Sequence, residues 1–107
     1  MVTLQEFKNA DLKVGRILSV EDHPNADKLV IFRVDVGEPT PRTLVAGLKP
    51  YYKADELVGR LVVVVANLEP ALLRGVESRG MLLAAQEGNT VSLLTLDREV
   101  APGSPVV

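Results

Sequence analysis

Short apolar runs separated by turn-forming residues recur along the chain, and this pattern predicts a mainly β fold. The clearest alternation places Phe32, Val34 and Val36 on one face, with Arg33, Asp35 and Gly37 on the other. A period of two is typical of a strand that buries one face. We therefore predict a strand that begins near Leu29.

The remaining apolar runs predict the other strands of a small barrel. The run at 13–20 alternates less well, because Ile17 and Leu18 are adjacent, and it ends in a stretch rich in turn formers. The run at 61–66 is apolar throughout and rich in valine, which favours a central strand covered on both faces. We expect strands at 13–20, 29–36, 43–46 and 61–66, and we count the hairpin of 81–85 with 91–96 as the fifth element of a five-stranded Greek-key barrel.

Two short helices are expected outside these strands. Thr3 and Glu6 match a capping box for a helix that begins at Leu4. Residues 54–58 carry acidic side chains near their start and are followed by Gly59, which predicts a helical turn between the third and fourth strands.

Composition limits the classes of protein that this chain can belong to. With 107 residues, of which 47% are hydrophobic, we expect a single domain spanning 1–107. No apolar stretch approaches the roughly 20 residues of a membrane span and the first ten residues lack a signal-peptide layout, so we expect a cytoplasmic protein with no membrane partner. The absence of cysteine and the single histidine argue against disulfides, a metal site or a bound cofactor.

Neither charge nor catalytic motifs indicate a function strongly. The net charge of −2 argues mildly against a nucleic-acid partner, although residues 42–60 carry four basic side chains against two acidic ones. His23 is the one obvious proton-transfer group, and nothing nearby orients it, so we interpret it as a structural turn residue. No glycine-rich phosphate loop of the GxxxxGK[ST] type occurs. We do not expect an enzyme.

Two segments leave a structural and a functional interpretation open. Residues 23–29, with the sequence HPNADKL, suit a simple turn, but Asn25 and Lys28 could also project toward a phosphate or sugar. Residues 67–81 are long for a connection between neighbouring strands, and they offer phosphate and sugar donors at Arg74, Ser78 and Arg79. Met81 could lie flat against a base or plug the end of the barrel.

Aromatic residues make up only 4% of the chain, which leaves few side chains on which bases could stack. If the partner is RNA, recognition should therefore rest on backbone charge and tertiary shape. The pair Tyr51–Tyr52 suits packing over the barrel or a subunit contact.

Several motifs together resemble one family. The runs HPNADKL, VAGLKPYY, ELVGRLVVVVANLEP and LRGVESRGM are similar to the tRNA-binding domain found at the C-terminus of bacterial methionyl-tRNA synthetases, as a stand-alone protein and in the yeast cofactor Arc1p. The resemblance implies an OB-fold barrel with a C-terminal extension that forms a homodimer and binds tRNA by shape, with little sequence preference. It also implies a docking role toward an aminoacyl-tRNA synthetase, in cis or in trans, and Met1 with its short helix favours an independent protein.

The resemblance also implies a set of RNA-binding residues. By matching position it assigns Asn25, Lys28, Arg74, Ser78 and Met81, to which we add Arg33, Lys49 and Arg79 from their charge and expected location. The alternative function comes from the CsaA export chaperones, which share the fold and bind unfolded polypeptides. As we read the resemblance, those proteins lack a close HPNADKL motif, so its presence favours tRNA.

Overall fold

The alternation at 32–36 holds in the structure, a computed structural model that describes every residue from Met1 to Val107. Phe32, Val34 and Val36 are each at most 1% exposed, whereas Arg33 faces solvent. The elements, in chain order, are α1 (Leu4–Lys8), β1 (Leu12–Asp22), β2 (Val30–Asp35), β3 (Arg42–Ala46), α2 (Ala54–Leu57), β4 (Leu61–Val65), β5 (Ala71–Leu73), β6 (Val76–Ser78), β7 (Met81–Leu82), β8 (Ala84–Glu87) and β9 (Thr90–Leu93). Neither helix is long enough to cross a membrane.

Five strands form one antiparallel sheet in the order β3-β2-β1-β4-β7. The 11 residues of β1 allow its first half to pair with β4 and its second half with β2. The register shifts between Ile17 and Ser19, and Ile17 is buried while Leu18 is 44% exposed. This β-bulge explains the adjacent apolar pair that interrupts the alternation, because an extra residue in one strand re-aims the side chains.

The outer strand β3 contacts the other outer strand, β7, and bonds to the segment that leads into β7, which closes the barrel. The backbone N–H of Arg79 donates to the carbonyl of Thr43 at 2.9 Å, and the hydroxyl of Ser78 accepts from the N–H of Val45 at 2.9 Å. The predicted fold, a five-stranded OB barrel with two short helices, is confirmed.

The core of the barrel is aliphatic, with one aromatic ring. Val62, Val63 and Val64 are all buried, which confirms that β4 is covered on both faces. Leu57 on α2 is 1% exposed and belongs to the same cluster, so this short helix closes one opening of the barrel. The members of the cluster are Ile17, Val30, Phe32, Val34, Val36, Leu44, Leu48, Leu57, Val62, Val64, Leu82 and Leu93.

Both ends of the chain are defined by hydrogen bonds. The capping box at Thr3 and Glu6 forms as predicted, with each residue's side chain accepting from the other's backbone N–H. The C-terminal extension runs beside the first half of β1, where the N–H of Val106 donates to Leu12 at 2.9 Å and that of Gly103 donates to Val14 at 2.8 Å.

Two details of the predicted strands are wrong. The connection at 67–81, expected to be a loop, contains the hairpin of β5 and β6, because Arg74 and Gly75 both have positive φ and make a two-residue turn that suits antiparallel strands. The predicted hairpin of 81–85 with 91–96 is divided: β7 stays on the main sheet, while β8 and β9 form a separate pair. All four residues of β8 are exposed, so this strand has no apolar face that would hold it on the core.

Candidate nucleic-acid interface

The two segments that sequence analysis singled out lie side by side. The 23–29 loop joins β1 to β2, and the β5–β6 hairpin lies between β4 and β7 in the chain. Across the gap of 49 residues, the guanidinium of Arg74 donates to the carbonyl of Asn25 at 3.2 and 3.3 Å. The ring of His23 reaches the carbonyl of Leu73 at 3.0 Å. Loop and hairpin therefore form one continuous surface.

His23 is a structural residue at the start of this loop, and it is only 5% exposed. Its Nδ1 accepts from the backbone N–H of Asn25 at 2.9 Å, and its Nε2 faces the carbonyl of Leu73. An amide N–H only donates and a carbonyl only accepts, so Nδ1 carries the lone pair and Nε2 carries the hydrogen. A neutral imidazole in this tautomer satisfies both partners.

Arg74 occupies the tip of the hairpin with φ of 53°, and it is the one residue other than glycine with a positive φ. A side chain in this left-handed region costs about 1 kcal/mol relative to glycine. Arg74 is exposed and forms no ion pair. The hairpin thus holds a cation at its tip in a conformation that glycine would adopt at lower cost.

A groove of about 820 Å³ runs between the outer surface of β2–β3 and the β5–β6 hairpin. Arg33 and Arg42 line it from the sheet and Arg79 lines it from the segment after β6, so we call it the arginine groove. Glu38 and Glu77 also line it. The arginine groove is therefore polar, with one more positive than negative side chain among these five.

Arg42 holds the groove together. Its guanidinium makes a paired hydrogen bond to both carboxylate oxygens of Glu38, at 2.8 Å each, and donates to the carbonyls of Ala66 and Arg79. The hydrogen bond from Arg42 lowers the pKa of Glu38 below its ordinary value, because it favours the charged carboxylate. Arg42 is not among the predicted site residues, although the spacing of four between Glu38 and Arg42 is visible in the sequence.

The predicted cations differ in how far neighbouring acids neutralise them. Lys28, Arg33 and Arg74 are exposed and have no ion-pair partner. Lys49 pairs with Asp22 at 3.1 Å, and Arg79 pairs with Glu77 at 2.7 Å. Three unpaired cations therefore lie on the sheet, the loop and the hairpin that surround the candidate site.

Ser78 and Met81 occupy different environments from the cations. Ser78 is 4% exposed, and its hydroxyl accepts from Val45 and donates to the carbonyl of Gly80 at 3.1 Å. Its one hydroxyl hydrogen is used inside the protein, so Ser78 anchors the base of the hairpin. Met81 is 45% exposed on β7, beside Val65, and it does not line the arginine groove.

A second groove, lined mainly by apolar side chains, lies between α1 and the C-terminal extension. Leu4 and Phe7 line it from the helix, and Val106 and Val107 line it from the extension, around a volume of about 660 Å³. No residue of α1 is buried, and Leu4 is 68% exposed. The helix therefore presents apolar side chains that nothing in this chain covers.

A small Greek-key barrel with cations on β2–β3 and on the flanking loops has the arrangement of the OB-fold proteins that bind nucleic acids. The family model described as "Putative tRNA binding domain" matches residues 12–105. The chain belongs to this tRNA-binding domain family, and the resemblance read from the sequence is confirmed.

Individual proteins that are similar to this chain point to the same family. The chain is 59% identical to a methionine–tRNA ligase of Pyrococcus furiosus over 105 residues, which cover 98% of this chain and 14% of the ligase. It thus spans about one seventh of the length of that relative. The solved structure of a MetRS related protein from Pyrococcus horikoshii matches with a TM-score of 0.92 and 33% identity, covering 100% of this chain and 98% of the other.

A further structural likeness is to a CsaA chaperone protein from Picrophilus torridus. That chain superposes with a TM-score of 0.91 at 29% identity, and the match covers 100% of both chains. The same barrel therefore occurs in a protein that is described as a chaperone, and fold alone does not separate the two functions.

Proposed function

We propose that this chain, acting as one domain over 1–107, binds folded tRNA by shape and backbone charge, without reading its sequence and without catalysing a reaction. The observation that carries the proposal is that three cations free of ion pairs, Lys28, Arg33 and Arg74, lie on the 23–29 loop, on the strand β2 that follows it and on the hairpin that contacts the loop. Phosphate contacts position a protein on its nucleic acid and carry no sequence information themselves.

The positions of the aromatic residues support recognition by shape. Phe32 is fully buried in the core, and the hydroxyl of Tyr52 accepts from the N–H of Leu93 at 3.1 Å. No aromatic side chain lines the arginine groove. Proteins that grip single strands stack bases on aromatic faces, and the arginine groove offers none, since the exposed Tyr51 lies outside it.

The remaining predicted residues take different parts in the proposal. Asn25 would contact sugar or phosphate, and Lys49 and Arg79 would exchange their acidic partners for phosphates as the RNA approaches. Met81 would contact the RNA at the margin of the surface. We assign Ser78 a supporting part, because its hydroxyl is already used within the protein.

Charge-removing variants test the proposal. Lys28→Ala and Arg74→Ala should weaken binding alike for every tRNA tried, and each should reduce the dependence of log K on log salt concentration by about one unit at most. Lys53→Ala is the matched control, since Lys53 is an exposed, unpaired cation at the start of α2. A loss confined to one tRNA species would contradict recognition by shape.

We further propose that the domain presents tRNA to an aminoacyl-tRNA synthetase, which would place it in the cytoplasm. The likeness to methionine–tRNA ligases over nearly the whole chain supports a synthetase as the partner. Adding the chain in excess to a synthetase that lacks such a domain should lower the KM for tRNA and leave that for the amino acid unchanged. An unchanged KM for tRNA would count against this role.

A homodimer is the assembly that we propose, with the apolar groove between α1 and the C-terminal extension as its contact. Apolar patches of this kind mark protein interfaces. Phe7→Ser should shift the sedimentation coefficient toward a monomer, while Leu18→Ser, at a similar exposure of 44% against 43%, should not. A monomeric wild-type chain at micromolar concentration would contradict the dimer.

The alternative function is that of a chaperone for unfolded polypeptides, and the whole-length likeness to CsaA favours it. An aggregation assay separates the two functions. Suppression of aggregation by the wild-type chain, together with no binding of tRNA, would favour the chaperone and refute tRNA binding.

A further inference from the structure

The protein buries two polar side chains, His23 and Ser78, and both hold the same hairpin. Ser78 and the N–H of Arg79 attach the end of β6 to β3. The other half of the hairpin, residues 71–75, bonds to the body of the protein at two places only. At the first place, the carbonyl of Leu73 bonds to the ring of His23. At the second, the exposed guanidinium of Arg74 donates to the carbonyl of Asn25 in the 23–29 loop.

His23 also closes the 23–29 loop on itself. Its backbone N–H donates to the carbonyl of Leu29 at 3.2 Å, across the mouth of the loop. Its Nδ1 accepts from the N–H of Asn25, two residues further on. One buried side chain therefore fixes the turn that carries Asn25 and binds the strand that precedes Arg74.

We propose that His23 is a positioning residue for RNA binding, which locks the loop and the hairpin into one preformed surface. The inference rests on the proposed function, because it gives this surface the task of binding tRNA. Without the bond from His23 to Leu73, the only hydrogen bonds between the hairpin tip and the body of the protein would be the exposed ones from Arg74 to Asn25. Ordering the tip would then oppose binding, since preorganisation strengthens association by removing that entropic cost.

Two substitutions separate the two bonds of the ring. In His23→Asn the short side-chain carbonyl still accepts from the N–H of Asn25, as asparagine does in turns, but it does not reach Leu73. In His23→Gln the longer amide extends to the place of Nε2 and donates to Leu73. His23→Asn thus cuts the connection between loop and hairpin, and His23→Gln preserves it.

Binding of folded tRNA to the purified variants is the first measurement. His23→Asn should bind about 3- to 10-fold more weakly, as expected for one lost hydrogen bond, and His23→Gln should stay within a factor of about two of wild type. Neither variant should change the salt dependence, because no phosphate contact is removed. Arg74→Ala should reduce that dependence, which distinguishes positioning from contact.

Hydrogen exchange of the free proteins is the second measurement, and it needs no RNA. Amides of residues 71–76 should exchange faster in His23→Asn than in wild type, while those of β2 and β4 keep their protection. Unchanged exchange would overturn the link itself. Faster exchange with wild-type affinity would overturn the positioning role.

The outcomes also separate this inference from the proposed function. A wild-type chain that does not bind tRNA would refute the proposed function and the positioning role together. The exchange data would still decide whether the hydrogen bond from His23 to Leu73 holds the hairpin to the loop. Equal losses of affinity in the Asn and Gln variants would overturn the inference while tRNA binding by wild type stands. Thermal melts of both variants identify any that fail to fold. If His23→Asn does not fold, His23→Gln, which keeps more of the buried volume, is compared with wild type, and a loss of affinity well beyond a factor of about two would overturn the inference.

Discussion

Replacing Arg74 with glycine should separate the stability of the fold from its affinity for RNA. Glycine adopts the positive φ of 53° without strain, which recovers about 1 kcal/mol. The substitution also removes the long, exposed hydrogen bonds to Asn25, which together contribute about 0.5 kcal/mol. It makes the unfolded chain more flexible as well, which costs about a further 0.5 kcal/mol. The free energy of unfolding of Arg74→Gly should therefore lie within about 0.5 kcal/mol of wild type.

Alanine at the same position keeps the strain and loses the hydrogen bonds. Arg74→Gly should thus be more stable than Arg74→Ala by about 0.5 to 1 kcal/mol, or about 2 to 8 °C in Tm for a domain of this size. Both variants lose the same charge. If Arg74 neutralises one phosphate, the ratio of wild-type affinity to variant affinity for tRNA should be about eightfold larger at 0.1 M salt than at 1 M salt, for either variant.

Thermal melts and fluorescence anisotropy titrations over a range of salt concentrations measure the two effects. Arg98→Ala is the control, because the Arg98 side chain is 91% exposed and pairs only with Asp97, at 3.8 Å. Equal melting temperatures for the Gly and Ala variants would refute the strain at this position. Affinities for Arg74→Gly that match wild type at every salt concentration would refute the contact with RNA.

Three further perturbations test the fold around the site. Ser78→Ala should lower the free energy of unfolding by about 1 to 3 kcal/mol in chemical denaturation, because it leaves the buried N–H of Val45 without an acceptor, and a wild-type value would contradict that role. Gly103→Ala should cost at least about 1 to 3 kcal/mol, since its φ is 90° and a Cβ would lie 2.8 Å from a backbone carbonyl oxygen; an unchanged Tm would argue against this packing of the C-terminal extension. The lowered pKa of Glu38 adds stability that is present above its ordinary value of 4.5 and is lost as pH falls through the lower folded value, so wild type should lose more stability than Glu38→Gln between pH 5 and pH 3, and parallel curves would contradict the pair with Arg42.

The strands of the barrel were predictable because their burial follows a simple period. The alternation at 32–36 and the apolar run at 61–66 each encode which faces are covered, and both predictions hold. The β5–β6 hairpin was missed because its turn uses Arg74 and Gly75 in place of the usual Asn-Gly or Asp-Gly signal. The predicted hairpin of 81–85 with 91–96 is divided in the structure because β8 has no apolar face. The mixture of apolar and polar residues along this stretch of sequence hides that feature.

The candidate site was predictable as a set of residues but not as an arrangement. Resemblance to a family pointed to Asn25 and Arg74, yet nothing in the sequence indicates that one donates to the other across 49 positions. The burial of Ser78 could not be read from its exposed neighbours, because it depends on the approach of β3. The pairing of Lys49 with Asp22 likewise depends on how the segment after β3 meets the distant end of β1.

Recognition of tRNA by shape can be measured by titrating wild-type protein with folded tRNA and with an unstructured RNA of equal length, at low and at physiological salt. Recognition by shape predicts tighter binding of the folded tRNA, with a preference that persists at physiological salt. Equal affinities for the two RNAs, or no binding of either, would contradict it.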